Sequence, residues 1–213
     1  MGRGPVGEPA IIRYVNNSLA SVDDVSNTDG AIILIKTLTA SSSATLSFVN
    51  GTSDVVLDNT YPIYKFVFTN IHPSAQSSFT VGFRDGSTNY DATKTTTCFN
   101  AQHKEDDTST NLGYKSGVDI AQGTGFLSLD QQGVGTDNDT SLSGEMFLYA
   151  PSSTTFVKHF MSKTNHSHAN IWSMNTFVAG YCNVTAAIDA VQFKQSSGNI
   201  DAGTIKLYGI KDS

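Results

Sequence analysis

The sequence predicts an all-β fold, a jelly-roll-like β-sandwich of about 8–10 antiparallel strands with an extended N-terminal arm. Three observations predict it. Apolar residues recur at every second position in one segment after another, the period that sends one set of side chains to a core and the other to water. Turn signals separate these segments, among them Asn50-Gly51, Asp85-Gly86 and Ser196-Ser197-Gly198-Asn199, where Gly tolerates positive φ and Asn and Ser bond their own backbone. No segment has a convincing helical period, and no repeat of about 20–50 residues points to a propeller or solenoid.

The chain divides into an arm over residues 1–30 and a sandwich domain over residues 31–213. Gly2, Gly4, Pro5, Gly7 and Pro9 resist regular structure. An apolar cluster follows, and Ile11, Ile12, Tyr14 and Val15 are its members. A terminus of this composition is ordered only when something ties it down. These four residues are therefore expected to anchor the arm on a neighbouring subunit, with packing on its own domain as the alternative. Asn16 to Gly30 is polar.

Ile32 to Leu38 opens the domain as a continuous apolar run, the pattern of a strand buried on both faces. Ala44 to Val49 alternates, with Leu46 and Phe48 on the apolar face. Ile63 to Asn70 sets Tyr64, Phe66 and Phe68 against Ile63, Lys65, Val67 and Thr69. Ser78 to Arg84 places Phe79, Val81 and Phe83 on one side. The pattern then weakens between Asp85 and Ser141. A strand is expected over Thr93 to Ala101 and a short one within Ile120 to Leu129, with Gln102 to Ser116 as a polar loop. Leu142 to Ala150, Thr155 to Lys163 and Ile171 to Tyr181 restore the alternation, with a His-bearing loop over Asn165 to Asn170. Val191 and Phe193, then Ile205 and Leu207, predict a closing hairpin whose apolar residues are core.

Composition restricts the function classes. Only 15% of residues are charged, against about 25% in an ordinary soluble domain, so the surface is expected to be neutral and polar or partly covered by other proteins. The net charge of −6 and the lack of a Lys/Arg cluster argue against a nucleic-acid partner, which requires phosphate neutralisation. The longest apolar run, Ala31 to Ile35, falls far short of the ~20 residues of a membrane helix. No secretory apolar segment follows the N-terminus. Cys98 and Cys182 are too few for a disulfide framework and are expected to be small buried residues.

Catalytic signatures are missing: no Gly-x-Ser-x-Gly, phosphate loop, dinucleotide fingerprint or zinc-protease motif occurs. No catalytic residue, metal or cofactor is assigned. His166-x-His168 could ligate a metal from one side of an extended chain, but no Cys or carboxylate lies near it in sequence. Asp137-Asn138-Asp139 offers oxygen ligands for Ca²⁺ but lacks the EF-hand spacing and a distant bidentate Glu. Asp85, Asp91 and Glu105-Asp106-Asp107 fit solvated turns. No pair of carboxylates stands out for glycoside hydrolysis, and the chain is not expected to be an enzyme. Trp172 falls in an alternating run and is expected in the core.

The block SSGNIDAGTIKLYGI at Ser196 to Ile210 resembles the C-terminus of a group of tailed-phage virion proteins, mostly from marine and cyanobacterial phages. TLTASSSATLSFVNG at Thr37 to Gly51, YKFVFTNIHP at Tyr64 to Pro73 and SLSGEMFLYAPSSTTFVKHF at Ser141 to Phe160 resemble the same group. The resemblance covers residues 37 to 210 and leaves the arm outside. It implies a β-sandwich module on the outer surface of a phage particle. The expectation is a capsid decoration or cement protein, a homotrimer on the shell of the major capsid protein. The alternative is a tail-fibre or receptor-binding module whose partner is a host glycan.

Overall fold

The computed structural model describes residues 12–15, 18–22, 31–169 and 171–212. They fall into two compact units, Met1–Gly30 and Ala31–Ser213. In the first, β1 (Ile12–Val15) pairs antiparallel with β2 (Ser18–Val22). The second strand lies in the stretch that composition marks only as polar.

The second unit carries twelve strands and no helix among its described residues. In chain order they are β3 (Ile32–Thr39), β4 (Leu46–Val49), β5 (Ile63–Pro73), β6 (Phe79–Arg84), β7 (Lys94–Lys104), β8 (Thr110–Tyr114), β9 (Leu127–Ser128), β10 (Leu142–Tyr149), β11 (Lys158–His168), β12 (Trp172–Cys182), β13 (Ala190–Gln195) and β14 (Ile200–Ile210). Eight form one sheet in the order β3-β14-β5-β10-β11-β12-β7-β8, and four form a second in the order β4-β13-β6-β9. Neighbours pair antiparallel throughout.

The chain crosses between sheets each time it enters or leaves β4, β6, β9 and β13, while β7 to β8 and β10 to β11 to β12 stay within the larger sheet. Two four-stranded layers built this way, β3-β14-β5-β10 over β4-β13-β6-β9, make a jelly roll. Two inserted pairs, β7–β8 and β11–β12, extend only the larger sheet beyond β10. They raise the strand count above the 8–10 expected from sequence.

The core lies between the two sheets, and its residues are those that alternation selects. Tyr64, Phe66, Phe68, Phe79, Val81, Phe83, Val191, Phe193, Ile205 and Leu207 are all buried. Phe193 sits among Phe48, Phe66, Phe68 and Phe79, with ring centroids 5.2–6.3 Å away.

Five expectations are corrected. The closing segments do not form a hairpin, because β13 belongs to the smaller sheet and β14 to the larger. One buried face per strand satisfies the alternation equally well across a core as along a sheet. The run from Ile32 is not buried on both faces: β3 is an edge strand, with Ile32 56% and Leu34 51% exposed. The polar stretch Gln102 to Ser116 contributes the end of β7 and all of β8, with Glu105, Asp106 and Asp107 at the turn between them. Finally, His166 and His168 are not loop residues, since β11 runs on through them and buries both. Trp172 is only half-buried.

Gly203 lies within β14, where the register slips between Ala202 and Thr204. Its φ is +111°, and a Cβ there would stand 2.5 Å from the carbonyl oxygen of Asn70. Gly203→Ala is expected to lose about 2 kcal/mol from left-handed strain and backbone crowding. The urea midpoint measures it, and an unchanged midpoint contradicts the assignment.

Two lysines lie in the interior. Lys158 and Lys94 flank Cys182 at paired positions on β11, β12 and β7, and all three are fully buried. The Lys158 ammonium donates to the carbonyls of Ser153 (3.2 Å), Val184 (2.6 Å) and Ala186 (2.5 Å). Lys94 donates to the carbonyl of Gly125 at 2.7 Å. Burial pushes the Cys182 thiol up to about 12 and the Cys98 thiol up to about 11. Both are therefore unreactive thiols of the kind expected in a core.

Candidate binding face

The side of the larger sheet that faces away from the core has an unusual composition. Strands with one solvated face normally alternate apolar with polar residues. Here β10 reads Met146-Phe147-Leu148-Tyr149, with Met146 and Leu148 in the core and Phe147 and Tyr149 outward. Cys98 and Phe99 on β7 divide in the same way, as do Val178 and Phe177 on β12. Apolar residues thus occupy both phases of several strands.

Strand register assembles these outward residues into rows. Glu145, Lys163, Phe177, Phe99 and Tyr114 stand side by side on five successive strands. The next row runs Tyr208, Lys65, Phe147, Met161, Ala179 and Thr97. Phe99 and Phe177 stack at 4.8 Å with an 8° interplanar angle. Lys65 reaches over the Phe147 ring, 5.1 Å from its centroid, and bonds Glu145 at 2.7 Å. Lys163 lies 6.0 Å from the Phe177 centroid. The Tyr149 hydroxyl donates to the Met161 sulfur at 3.8 Å. A groove of about 400 Å³ runs among Phe99, Phe147, Tyr149, Met161 and Phe177.

Eight large apolar side chains are exposed among the described residues, and six of them lie on this face: Ile32, Leu34, Phe99, Leu112, Tyr114 and Met161. Scattered exposed apolar residues are ordinary, whereas a contiguous set marks an interaction surface. The sequence signal was present in the paired runs Cys98-Phe99, Phe177-Val178 and Ile32 to Ile35. It requires knowing which phase is core before the surplus on the other phase can be seen.

Within the second unit, the residues singled out from sequence lie elsewhere. Ile11 lies outside the described residues. Ile12, Tyr14 and Val15 belong to β1, and only their backbone is described. Asp137 contributes its carbonyl to a turn closed by Thr140 and a contact to His72 Nε2 at 3.3 Å. Asn138 and Asp139 line a polar cleft with Asn70, His72, Thr140 and Asp201. No cluster of three or more His, Cys, Asp or Glu suited to a metal occurs among the described residues. Asp189 holds Arg84 through two bonds of 2.8 and 3.1 Å.

His166 belongs instead to a buried polar layer behind the extended half of the larger sheet. Thr164, Thr176 and Asn100 face this layer from paired positions on β11, β12 and β7. Asp130, fully buried, accepts from the Phe79 N–H at 2.7 Å and the Ser128 hydroxyl at 3.2 Å. Burial pushes its carboxyl up to about 6. Burial, and then the neighbouring His168, push His166 down to about 4, with the Gln131 backbone acting in the opposite direction.

These shifts have opposite signs in one pH window. The unfolded chain binds the extra proton at His166 between its ordinary 6.5 and 4, so this group makes stability fall as pH falls. The folded chain binds the extra proton at Asp130 between 6 and its ordinary 3.8, so this group makes stability rise as pH falls. His166→Gln is therefore expected to gain stability from pH 6 to 4 relative to wild type, and Asp130→Asn to lose it, each on the order of 2 kcal/mol. Urea midpoints across the window check both slopes. Parallel pH profiles for the three proteins contradict them.

Comparison of the chain with family models, with curated proteins and with solved structures returned no match.

Proposed function

We propose that this chain is a structural subunit of a tailed-phage virion, a capsid decoration or cement protein on the outer surface of the major capsid protein shell. Its observed foundation is the aromatic outer face of the eight-stranded sheet. A contiguous apolar face is what a subunit presents to other proteins, and the resemblance of residues 37 to 210 supplies the kind of assembly. The expected homotrimer is one arrangement in which such a face is covered. A protein that binds only the assembled shell stabilises it by mass action, without any chemistry. The arm, with Ile11, Ile12, Tyr14 and Val15, would add contacts to a neighbour.

The tail-fibre alternative calls for exposed aromatics beside Asn and Asp at one end of the sandwich. The Asn70, His72, Asn138, Asp139 and Asp201 cleft is lined without a Phe, Tyr or Trp, and the exposed aromatic cluster belongs to the sheet face. Localisation in the particle decides between them. Labelled antibodies against this chain are expected to decorate the whole shell of the phage. Label confined to the tail, or absent from the particle, overturns the decoration reading.

A further inference from the structure

We propose that the aromatic face is covered by a second copy of this chain in a heterologous contact, the face of one subunit meeting a different, acidic surface of the next, so that the contacts close a ring. The inference rests on the reading of the chain as an assembly subunit and names its immediate partner.

Area is the first support. Eight strands at about 4.8 Å spacing, five to eleven residues long and rising about 3.3 Å per residue, give this sheet a footprint of about 1,200 Å². A stable interface takes about 800 Å² from each partner. The face is therefore large enough to hold a subunit by itself.

Charge chooses the partner surface. The strands of the face carry Lys65, Lys163 and Lys206 against one carboxylate, Glu145, which Lys65 already holds at 2.7 Å, while Asp107 and Asp119 stand at its β7–β8 edge beside His103 and Tyr114. Stacking this face on its own copy would set lysines against lysines, and like charges across an interface suppress association. The whole chain has a net charge of −6. Its remaining surface is thus more acidic than the whole and complements the lysine-bearing face. A contact between two different surfaces is heterologous, and repeated heterologous contacts give rings when the rotation closes.

The test uses the full chain at micromolar concentration, with mass read by light scattering after size exclusion. The wild type is expected as a closed oligomer of three or more chains that loosens at high salt. The Phe99→Lys, Met161→Lys double variant is expected as a monomer with at least tenfold weaker association. Its outward positions should leave the unfolding transition cooperative. Met161→Leu is expected to keep the wild-type mass. A wild type that is monomeric, a dimer, or an oligomer unaffected by the double substitution overturns the inference. A monomer that still binds purified shells through this face overturns it too, while leaving the decoration reading intact. A ring that never associates with particles does the reverse.

Discussion

Phe193→Ala is expected to lose about 4 kcal/mol of stability, as large-to-small changes at fully buried aromatic sites do. Phe193 packs across the gap between the two sheets. Its ring stacks on Phe79 at 5.6 Å and meets Phe66 and Phe68 edge-on at 5.3 and 5.2 Å. Phe66 and Phe68 belong to the larger sheet, whereas Phe79 and Phe193 belong to the smaller. Truncation removes transfer energy and also leaves a void, because rings from two rigid sheets cannot all move inward. Denaturant titration should show a lower midpoint with an unchanged slope. Phe193→Leu fills part of the void and should lose less. A loss below about 1 kcal/mol for the alanine variant means that the sheets do not pack through this ring.

Lys158→Met is expected to lose about 3 kcal/mol, because buried carbonyls that now bond a charged donor are left without it. The ammonium joins the Ser153 carbonyl, between β10 and β11, to the Val184 and Ala186 carbonyls, between β12 and β13. Burial pulls the Lys158 pKa below its ordinary value. The carbonyls solvate the charge in place of water. Methionine preserves length and apolar stem but donates nothing, so three acceptors lose their partner together. Orphaned buried acceptors carry the full desolvation penalty, which makes the loss larger than the net worth of the bonds. Amide exchange should also quicken around Val184 to Ala186. A stability within about 1 kcal/mol of wild type contradicts the assigned role.

Much of the fold is legible in the residues themselves. Phe79, Val81 and Phe83 declare a buried face by alternation, and all three are fully buried. Alternation even places Lys158 in phase with Phe160, and both are interior. It cannot say which strands share a sheet, so β13 and β14 read as a hairpin although they face each other across the core. His166 and His168 read as loop because polar residues surround them. Their strand is instead held by a full ladder to β12 and covered by the segment around Asp130 and Gln131. β8 was hidden for a related reason: its five residues, Thr110 to Tyr114, are mostly exposed and carry no core pattern. The aromatic face was the largest omission. Each of its residues looks like ordinary strand content until register aligns Phe177 with Phe99 and Met161 with Phe147.

Oxidation of methionine by dilute peroxide tests most directly whether the aromatic face is covered. Met161 is 52% exposed on the single chain, while Met146 and Met174 are fully buried and serve as internal standards. Peptide mass spectrometry of the native full-length protein should find Met161 oxidising as slowly as Met146 and Met174, and rapidly in the folded Phe99→Lys variant. Rapid oxidation of Met161 in the native protein, with the two standards protected, would show that nothing covers the face.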